Sequence, residues 1–194
     1  SVYGVKKEKK VTENLSLVPI SLYNKTKMIA ERVFLSYSKY MKIHIIRPAT
    51  ICGYSERLRL DVSVNMLTYQ ALKFKKITVL GGKQIRPNLH IQDMVRIYEH
   101  FLKNKKLPNG FYNAGFENIS IINLAKKIKK KLNCKIIIKK SNDPRSYRLN
   151  SDKLIKTGFK QKFFTDDGIN EIKEKLKLQK VNKNNFTVQK MKEL

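Results

Sequence analysis

The spacing of apolar residues along the chain predicts a series of amphipathic helices. Apolar positions recur close to the helical period of about 3.6 residues over residues 22–38 and 61–74. A third helix is predicted to turn one apolar face inward, made of Met94, Val95, Tyr98, Phe101 and Leu102. A fourth has a narrower core stripe with lysines opposite, made of Ile121, Ala125, Ile128 and Leu132.

Short apolar runs between these helices predict β-strands. They cover residues 42–47, 77–80, 89–91, 111–114 and 135–138. Pro48 is expected to end the first strand, because proline cannot donate a ladder hydrogen bond. Two further helices are predicted, a short one around Leu154 and a longer one over 166–178. Helices and strands alternate without an internal repeat, so the predicted fold class is α/β.

Two polar residues are predicted to begin helices. Asp61 precedes the second helix and Ser120 precedes the fourth. Their side-chain oxygens can accept hydrogen bonds from backbone N–H groups of the first turn, which have no partner within the helix. We therefore expect both residues to be N-caps.

A tyrosine and a lysine stand four residues apart on the first predicted helix. The segment reads Tyr23-Asn24-Lys25-Thr26-Lys27, and a spacing of four places the outer two side chains on one face. An ammonium group one turn away lowers the pKa of a phenol from about 10. A phenol in that setting is a usable general acid or base near neutral pH. In a lysine-rich chain such a pair also arises by chance, as an exposed tyrosine beside a solvated lysine.

Three further segments stand in a fixed order around this pair. They are Ser1-Val2-Tyr3-Gly4 before it, Arg47-Pro48-Ala49-Thr50-Ile51-Cys52-Gly53 after it, and Gly81-Gly82-Lys83-Gln84-Ile85-Arg86 leading into Asn88-Leu89-His90-Ile91-Gln92-Asp93. In this order the chain resembles the extended short-chain dehydrogenase/reductase family, in particular its NAD-dependent nucleotide-sugar epimerases and dehydratases. The resemblance covers residues 1–178. It implies the C-terminal part of a Rossmann-fold NAD(P)-binding domain plus a smaller α/β substrate-binding lobe.

The resemblance also implies roles for individual positions. Tyr23 matches the catalytic tyrosine, and Lys27 matches the lysine that holds the nicotinamide ribose and tunes that tyrosine. His90 matches a structural strand position. The segment that lines the cofactor and the sugar is matched by Pro48, Ala49 and Thr50, and the implied substrate contacts are Thr50, Asn65 and Arg86. The family's second arginine position is not matched, and of the two arginines in residues 143–148 we choose Arg145 as a second phosphate contact. A guanidinium suits a diphosphate contact because it can bind two oxygens at once.

The activity that the resemblance implies begins with oxidation of a nucleotide-diphosphate hexose. NAD or NADP would be the cofactor, the sugar would be oxidised transiently at C4, and Tyr23 would take the hydroxyl proton. Epimerisation, dehydration and reduction all follow from that first step, and the sequence does not choose among them.

The chain departs from the family pattern at several positions. The family's catalytic Ser or Thr is expected before Ser1, and the sequence contains no Gly-x-Gly-x-x-Gly turn to hold a pyrophosphate. Position 50 is Thr where many members have Asn, and Lys140 occupies a position that is often arginine. We therefore expect an N-terminally truncated chain that is inactive by itself.

The resemblance predicts two interleaved structural regions. Residues 1–57 and 88–118 are assigned to the Rossmann domain, and residues 58–87 and 119–178 to the nucleotide-sugar lobe. Residues 179–194 are predicted to be a polar tail.

The formal net charge of +27 raises the alternative of a basic nucleic-acid-binding or interaction protein. Lysine supplies 34 of the cations and arginine, the better base and phosphate reader, only 8. The cations are spread along the chain, as the codon bias of an AT-rich genome would give. We therefore expect no specific nucleic-acid partner, and a non-catalytic remnant of the enzyme is a further alternative.

The sequence predicts neither a metal site nor a membrane segment. Cys52 and Cys134 are far apart and lack neighbouring histidines at metal-ligand spacing, and no apolar run approaches the roughly 20 residues that span a bilayer. Two isolated cysteines fit a reducing compartment, so a cytoplasmic protein is expected.

The resemblance also implies a homodimer built from the first two helices. An outward apolar stripe is predicted from Met28, Phe34, Leu35, Met66 and Tyr69. The alternative is that this surface packs against the missing N-terminal half.

Overall fold

The computed structural model describes residues 2–6, 8–141 and 146–178, and within them it has six helices and seven strands. The helices are α1 (Leu22–Ser36), α2 (Ser63–Phe74), α3 (Ile91–Lys103), α4 (Ile121–Leu132), α5 (Asp152–Ile155) and α6 (Thr165–Leu178). The strands are β1 (His44–Pro48), β2 (Thr50–Cys52), β3 (Lys76–Leu80), β4 (Ile85–His90), β5 (Gly110–Ala114), β6 (Glu117–Ser120) and β7 (Lys135–Lys139). This order confirms the α/β class.

The strands form three small sheets. β1 pairs with β5, β2 with β4 and β3 with β7, all in parallel, while β6 pairs with β4 in antiparallel orientation. Ala49 lies between β1 and β2, and its N–H still donates to the carbonyl of Ala114 at 2.7 Å. The chain therefore changes its sheet partner at Ala49, from β5 before it to β4 after it.

Two main hydrophobic cores lie beneath these sheets. The first is built around β1, β5 and α3 and includes Tyr3, Ile97 and Tyr112. The second lies between α2, α4, β3 and β7, with Leu67 and Leu124 at its centre. Three residues beyond position 119 pack in the first core: Leu149, Leu154 and Phe159. The division into two interleaved regions stays a prediction. The predicted tail, residues 179–194, lies outside the described residues.

Two strands were not predicted from the sequence. β1 ends at Pro48, as predicted, but the chain resumes an extended course at Thr50 and forms β2. β6 is four residues long and has one exposed and three half-buried residues, so it shows no apolar run. Its place is set by pairing with β4, which is a tertiary contact that a local pattern does not contain.

Two local predictions about helices were wrong. Asp61 does not cap α2, whose N-cap is Val62 without a side-chain hydrogen bond; Asp61 instead forms an ion pair with Arg59. On α3 the buried face is Asp93, Met94, Ile97 and Phe101, whereas Val95, Tyr98 and Leu102 are exposed. Ser120 does cap α4 and accepts from the N–H of Asn123 at 3.3 Å, as predicted.

Asp93 occupies the inner face of α3 because its carboxylate is fully satisfied there. It accepts from the backbone N–H groups of Lys162 at 3.1 Å and Phe163 at 2.9 Å, and it pairs with Arg96. These contacts hold the segment before α6 against α3. They thereby fix where α6 packs against α2 and β4.

Asp93→Ala is expected to lower the free energy of unfolding by about 2–3 kcal/mol, because it leaves two backbone donors and an arginine without their acceptor. Asp61→Ala is the control, since it removes an exposed ion pair with Arg59 that contributes about 0–1 kcal/mol. Urea denaturation of each variant measures the difference. Equal losses of unfolding free energy in the two variants would contradict the role given to the Asp93 contacts.

Candidate functional site

Tyr23 and Lys27 lie together on an open face of α1. Ser21 begins the helix and accepts from the N–H of Asn24 at 3.2 Å, which places Tyr23 in the first turn. The Tyr23 side chain is 67% exposed, and Nζ of Lys27 lies 5.3 Å from the centre of its ring. The predicted pair is therefore formed, with a cation beside the phenol ring and both side chains exposed in this chain.

Pro48, Ala49 and Thr50 lie where the chain leaves the carboxyl end of β1. Pro48 is exposed, Ala49 is buried and Thr50 is half-buried. Gly115 lies so close to this segment that a Cβ on it would be 2.6 Å from Cβ of Ala49. The two backbone segments are therefore tightly packed. In α/β folds, ligands bind at the carboxyl ends of parallel strands, and this segment forms that end.

The proposed substrate contacts occupy different surroundings. Asn65 on α2 is buried, and its Oδ1 accepts from the N–H of Gly53 at 3.2 Å. Arg86 on β4 is half-buried and lies opposite Ile119 of β6. Arg145 lies outside the described residues. Asn65 thus fixes the turn after β2, whereas Arg86 presents its side chain partly to solvent.

A buried ion pair lies beneath the helix that carries Tyr23. Among the residues of α1, all of which the structure describes, Glu31 alone is buried. Its carboxylate receives two hydrogen bonds from Arg47 of β1, from Nε at 2.9 Å and from Nη2 at 2.7 Å. The side chains of Arg47 and Glu31 are only 6% and 9% exposed.

The far side of the Arg47 guanidinium is also fully engaged. Nη1 donates to the hydroxyl of Tyr3 at 2.8 Å, and that hydroxyl donates to Oδ1 of Asn113 on β5 at 2.7 Å. The rings of Phe111 and Tyr3 lie 4.1 and 4.9 Å from the guanidinium carbon. The backbone N–H of Asn113 in turn donates to Oε1 of Glu13 at 2.8 Å.

The charge states of this network follow from its surroundings. Burial alone would lower the pKa of Arg47, but the hydrogen bonds that Arg47 donates to Glu31 and Tyr3 outweigh it and raise the pKa. Burial is also the main cause that raises the pKa of Tyr3, against the lowering effect of Arg47. Arg47 is therefore a cation, and Tyr3 is a neutral phenol that can donate to Asn113.

Sequence reasoning did not single out Glu31, Tyr3 or Arg59 as site residues. Glu31 follows Tyr23 and Lys27 at the same interval of four, a signal that was present in the printed sequence. Hydrogen bonding to Asp61 is the main cause that raises the pKa of Arg59, and the nearby Tyr23 contributes electrostatically.

His90 has a structural place behind the site, as predicted. Its Nδ1 accepts from the N–H of Gln92 at 3.2 Å, which caps α3. Its Nε2 lies 3.2 Å from a carboxylate oxygen of Glu171 on α6, and that same oxygen accepts from the N–H of Tyr54 at 3.3 Å. His90 therefore joins α3 and α6 behind the turn at Gly53.

Two lysines of α4 are paired with a carboxylate of α6. Nζ of Lys127 and Nζ of Lys131 lie 2.5 and 3.1 Å from the carboxylate oxygens of Asp166 at the start of α6.

In the part of the chain that the structure describes, no group of three or more His, Cys, Asp or Glu side chains is placed to hold a metal ion. The described helices also include none with the length and apolar character needed to cross a membrane.

The chain is similar in sequence to members of a known protein family. Residues 1–115 match the NAD dependent epimerase/dehydratase family. The chain is 37% identical over 97 residues to an uncharacterised UDP-glucose epimerase of Bacillus subtilis, covering 50% of this chain and 30% of that protein. It is 34% identical over 123 residues to dTDP-D-glucose 4,6-dehydratase of Dictyostelium discoideum, covering 60% of this chain and 27% of that protein.

Solved structures show the same fold over nearly the whole described chain. UDP-glucuronic acid 4-epimerase from Bacillus cereus, in complex with UDP-glucuronic acid and NAD, superposes with a TM-score of 0.77 at 28% identity. The dTDP-glucose 4,6-dehydratase from Bacillus anthracis, in complex with NAD, gives a TM-score of 0.78 at 23% identity. In both cases the match covers 92% of this chain and 59% of the other. The chain therefore spans less than two thirds of these relatives.

Cys52, at the end of β2, is a buried thiol whose reactivity reports on that burial. Burial, with a smaller effect of the Glu117 and Glu171 charges, raises the pKa of Cys52 to about 12. We expect iodoacetamide at pH 8 to leave Cys52 unmodified in the folded chain and to alkylate it in urea, where the pKa returns to about 8.5.

The raised pKa also makes the free energy of unfolding depend on pH, because the Cys52 thiol ionises at a lower pH in the unfolded chain than in the folded one. The stability that comes from the neutral, buried thiol is present below about pH 8.5 and is lost as the pH rises towards the pKa of the folded state.

Mass spectrometry of the alkylated peptides measures the modification of Cys52. Modification of Cys52 at equal rates in the folded and urea-treated chain would contradict it.

Proposed function

This chain belongs to the NAD dependent epimerase/dehydratase family, and we propose that the protein containing it oxidises the hexose of a nucleotide-diphosphate sugar transiently at C4. The observation that carries the proposal is the exposed Tyr23–Lys27 pair on a helix tied to β1. The named relatives act on UDP- and dTDP-linked glucose or glucuronic acid. Epimerisation or dehydration then follows from the keto sugar.

Tyr23 is the proposed general base of the first step. Its phenolate would accept the proton of the sugar C4 hydroxyl as the C–O bond gains carbonyl character, and in the reverse step the phenol would return that proton. Lys27, whose Nζ lies 5.3 Å from the centre of the Tyr23 ring, is the proposed partner of the phenol and of the nicotinamide ribose.

The chain offers the nicotinamide end of an NAD(P) site and not the pyrophosphate end. Tyr23 and Lys27 lie on an exposed face of α1, and Pro48 to Thr50 lie at the end of β1, to which α1 is tied through Glu31 and Arg47. These residues are the proposed contacts of the ribose and the nicotinamide ring. The Gly-rich turn that cradles a pyrophosphate is absent from the sequence. NAD(P), when bound, supplies the acceptor for the hydride that leaves C4.

The remaining assigned residues would hold the nucleotide sugar. Thr50, half-buried at the strand end, has a hydroxyl that can donate to a sugar oxygen. Arg86 and Arg145 are proposed contacts of the diphosphate, where a planar guanidinium can bind two oxygens. Asn65 is proposed to act on the substrate through the turn at Gly53, whose N–H it holds.

Tyr23→Phe in the natural protein that contains these residues is expected to lower kcat by at least about 100-fold, since general acid–base catalysis contributes about 10²–10⁴. Turnover is measured with a panel of UDP- and dTDP-hexoses, by product sugar and by reduced cofactor. Tyr40→Phe is the matched control, because Tyr40 is 82% exposed beyond the end of α1. Turnover of the Tyr23 variant at the wild-type rate would show that the base is misassigned.

The outer face of α1 is the proposed dimer interface. Phe34 is 59% exposed, and Ile29, Val33 and Tyr37 around it are exposed as well. The stripe expected from the sequence needs correction, because Tyr69 is buried and Met28 and Met66 pack against the cores. Four apolar side chains on adjacent turns of one helix form a patch that a second copy can cover by two-fold symmetry.

Phe34→Glu is expected to convert the natural protein from dimer to monomer, because the symmetry places the new charge twice in the interface. Tyr98→Glu on α3 is the matched control, since Tyr98 is 54% exposed on another surface. Sedimentation at micromolar concentration measures the state of each variant. A Phe34 variant that stays dimeric would rule out this interface.

A further inference from the structure

We propose that the buried Glu31–Arg47 pair is a positioning device that fixes the rotation of α1 about its axis, and so the direction in which Tyr23 points. The proposal rests on the function proposed above. Glu31 and Arg47 touch neither substrate nor cofactor in it. They act through the helix.

Within the part of the chain that the structure describes, α1 has few buried contacts. Its other residues are exposed or half-buried, and Met28 is the half-buried residue that packs on the first core. On the inner face of α1, the Glu31–Arg47 pair is the directional contact that opposes a roll of the helix about its axis. A roll of about 20° moves an atom at the outer helix radius of about 5–6 Å by about 2 Å, and a shift of about 1 Å can cost 100-fold in rate.

Glu31 is placed to prevent that roll. Tyr23, Lys27 and Glu31 follow one another at intervals of four, so Glu31 lies about 12 Å along the axis from Tyr23 and about 80° around it. Tyr23 therefore faces the open side while Glu31 faces β1. The fork of Arg47 binds both carboxylate oxygens, at 2.9 and 2.7 Å, and two parallel hydrogen bonds fix orientation as well as distance.

Arg47 is itself held on its other side. Its guanidinium lies between the rings of Tyr3 and Phe111, and its Nη1 donates to Tyr3 and, at 3.4 Å, to the carbonyl of Glu13. Tyr3 is bonded to Asn113, the residue opposite Arg47 in the β1–β5 register. Arg47 also directly precedes Pro48. One guanidinium thus connects the Tyr23 helix, the segment at Tyr3 and the strand that ends at the site.

A stabilising role alone explains this arrangement poorly. Buried ion pairs are weak contributors to stability, and apolar residues of similar volume often replace them with no loss. An apolar pair, however, lacks the directional hydrogen bonds that fix the orientation of α1. Replacement of both residues by methionine therefore separates the two roles.

The test compares Glu31→Gln, Arg47→Lys and the double variant Glu31→Met/Arg47→Met with wild type in the natural protein. Glu99→Gln is the control, since it makes the same substitution in the exposed Glu99–Lys103 pair. We expect the double variant to keep the wild-type unfolding midpoint while kcat falls by about 100-fold and KM changes far less. A double variant with wild-type stability and wild-type kcat would overturn the proposal.

A second readout does not depend on activity. Spin labels on cysteines introduced at the exposed positions Lys25 of α1 and Gln92 of α3 report the distance between the helices by pulsed electron paramagnetic resonance. We expect a narrow distance distribution in wild type and Glu99→Gln, and a broad or shifted one in the double variant.

The two readouts separate the two claims. If the wild-type protein turns over no nucleotide sugar, the proposed function fails, and the distance distribution still decides whether the pair fixes the helix. A distribution in the double variant as narrow as that of wild type, at the same distance, would overturn the positioning role whatever the activity.

Discussion

A charge buried in a protein must be paired and fully hydrogen-bonded, and this constraint governs the region around Arg47. Glu31 satisfies one side of its guanidinium, while Tyr3 and the carbonyl of Glu13 satisfy the other. Removal of one partner from such a pair costs about 3–5 kcal/mol, because it leaves the other charge buried alone. The elements that contribute these groups are consequently fixed relative to one another, although they are distant in sequence.

The proposed site lies where two of those elements end. β1 carries Arg47 inward and then, after Ala49, the chain leaves β5 and pairs with β4. Pro48 and Thr50 lie at this change of partner, and α1, which carries Tyr23, is tied to β1 through Glu31 and Arg47. Asp93 and His90 provide a second set of buried contacts that hold α3 and α6 behind this end. The chemistry proposed for the exposed phenol thus depends on buried polar groups that take no part in it.

The sequence was most informative where a signal is local. The period of apolar residues predicted α1 and α4, and Ser120 was recognised as a cap because its function needs only the next three residues. It failed where tertiary contacts decide: β6 is defined by β4, and Asp61 pairs with Arg59 instead of capping α2. On α3 a buried aspartate shifted the inner face, since hydrophobic counting assigns no charged residue to a core.

The same limit applies to the site. The Tyr23–Lys27 pair could be predicted because the spacing of four guarantees proximity on a helix, and the structure brings the two together. Glu31 was overlooked, although it continues the same interval, because its importance depends on Arg47 from another element.

The most direct measurement is a crystal structure of the natural protein with NAD and a non-reacting UDP-hexose analogue. The expected result is a nicotinamide ribose at Lys27, the sugar C4 hydroxyl within hydrogen-bond distance of the Tyr23 hydroxyl, and an intact Glu31–Arg47 pair beneath them. A cofactor bound away from α1, or a sugar whose C4 lies out of reach of Tyr23, would contradict the account.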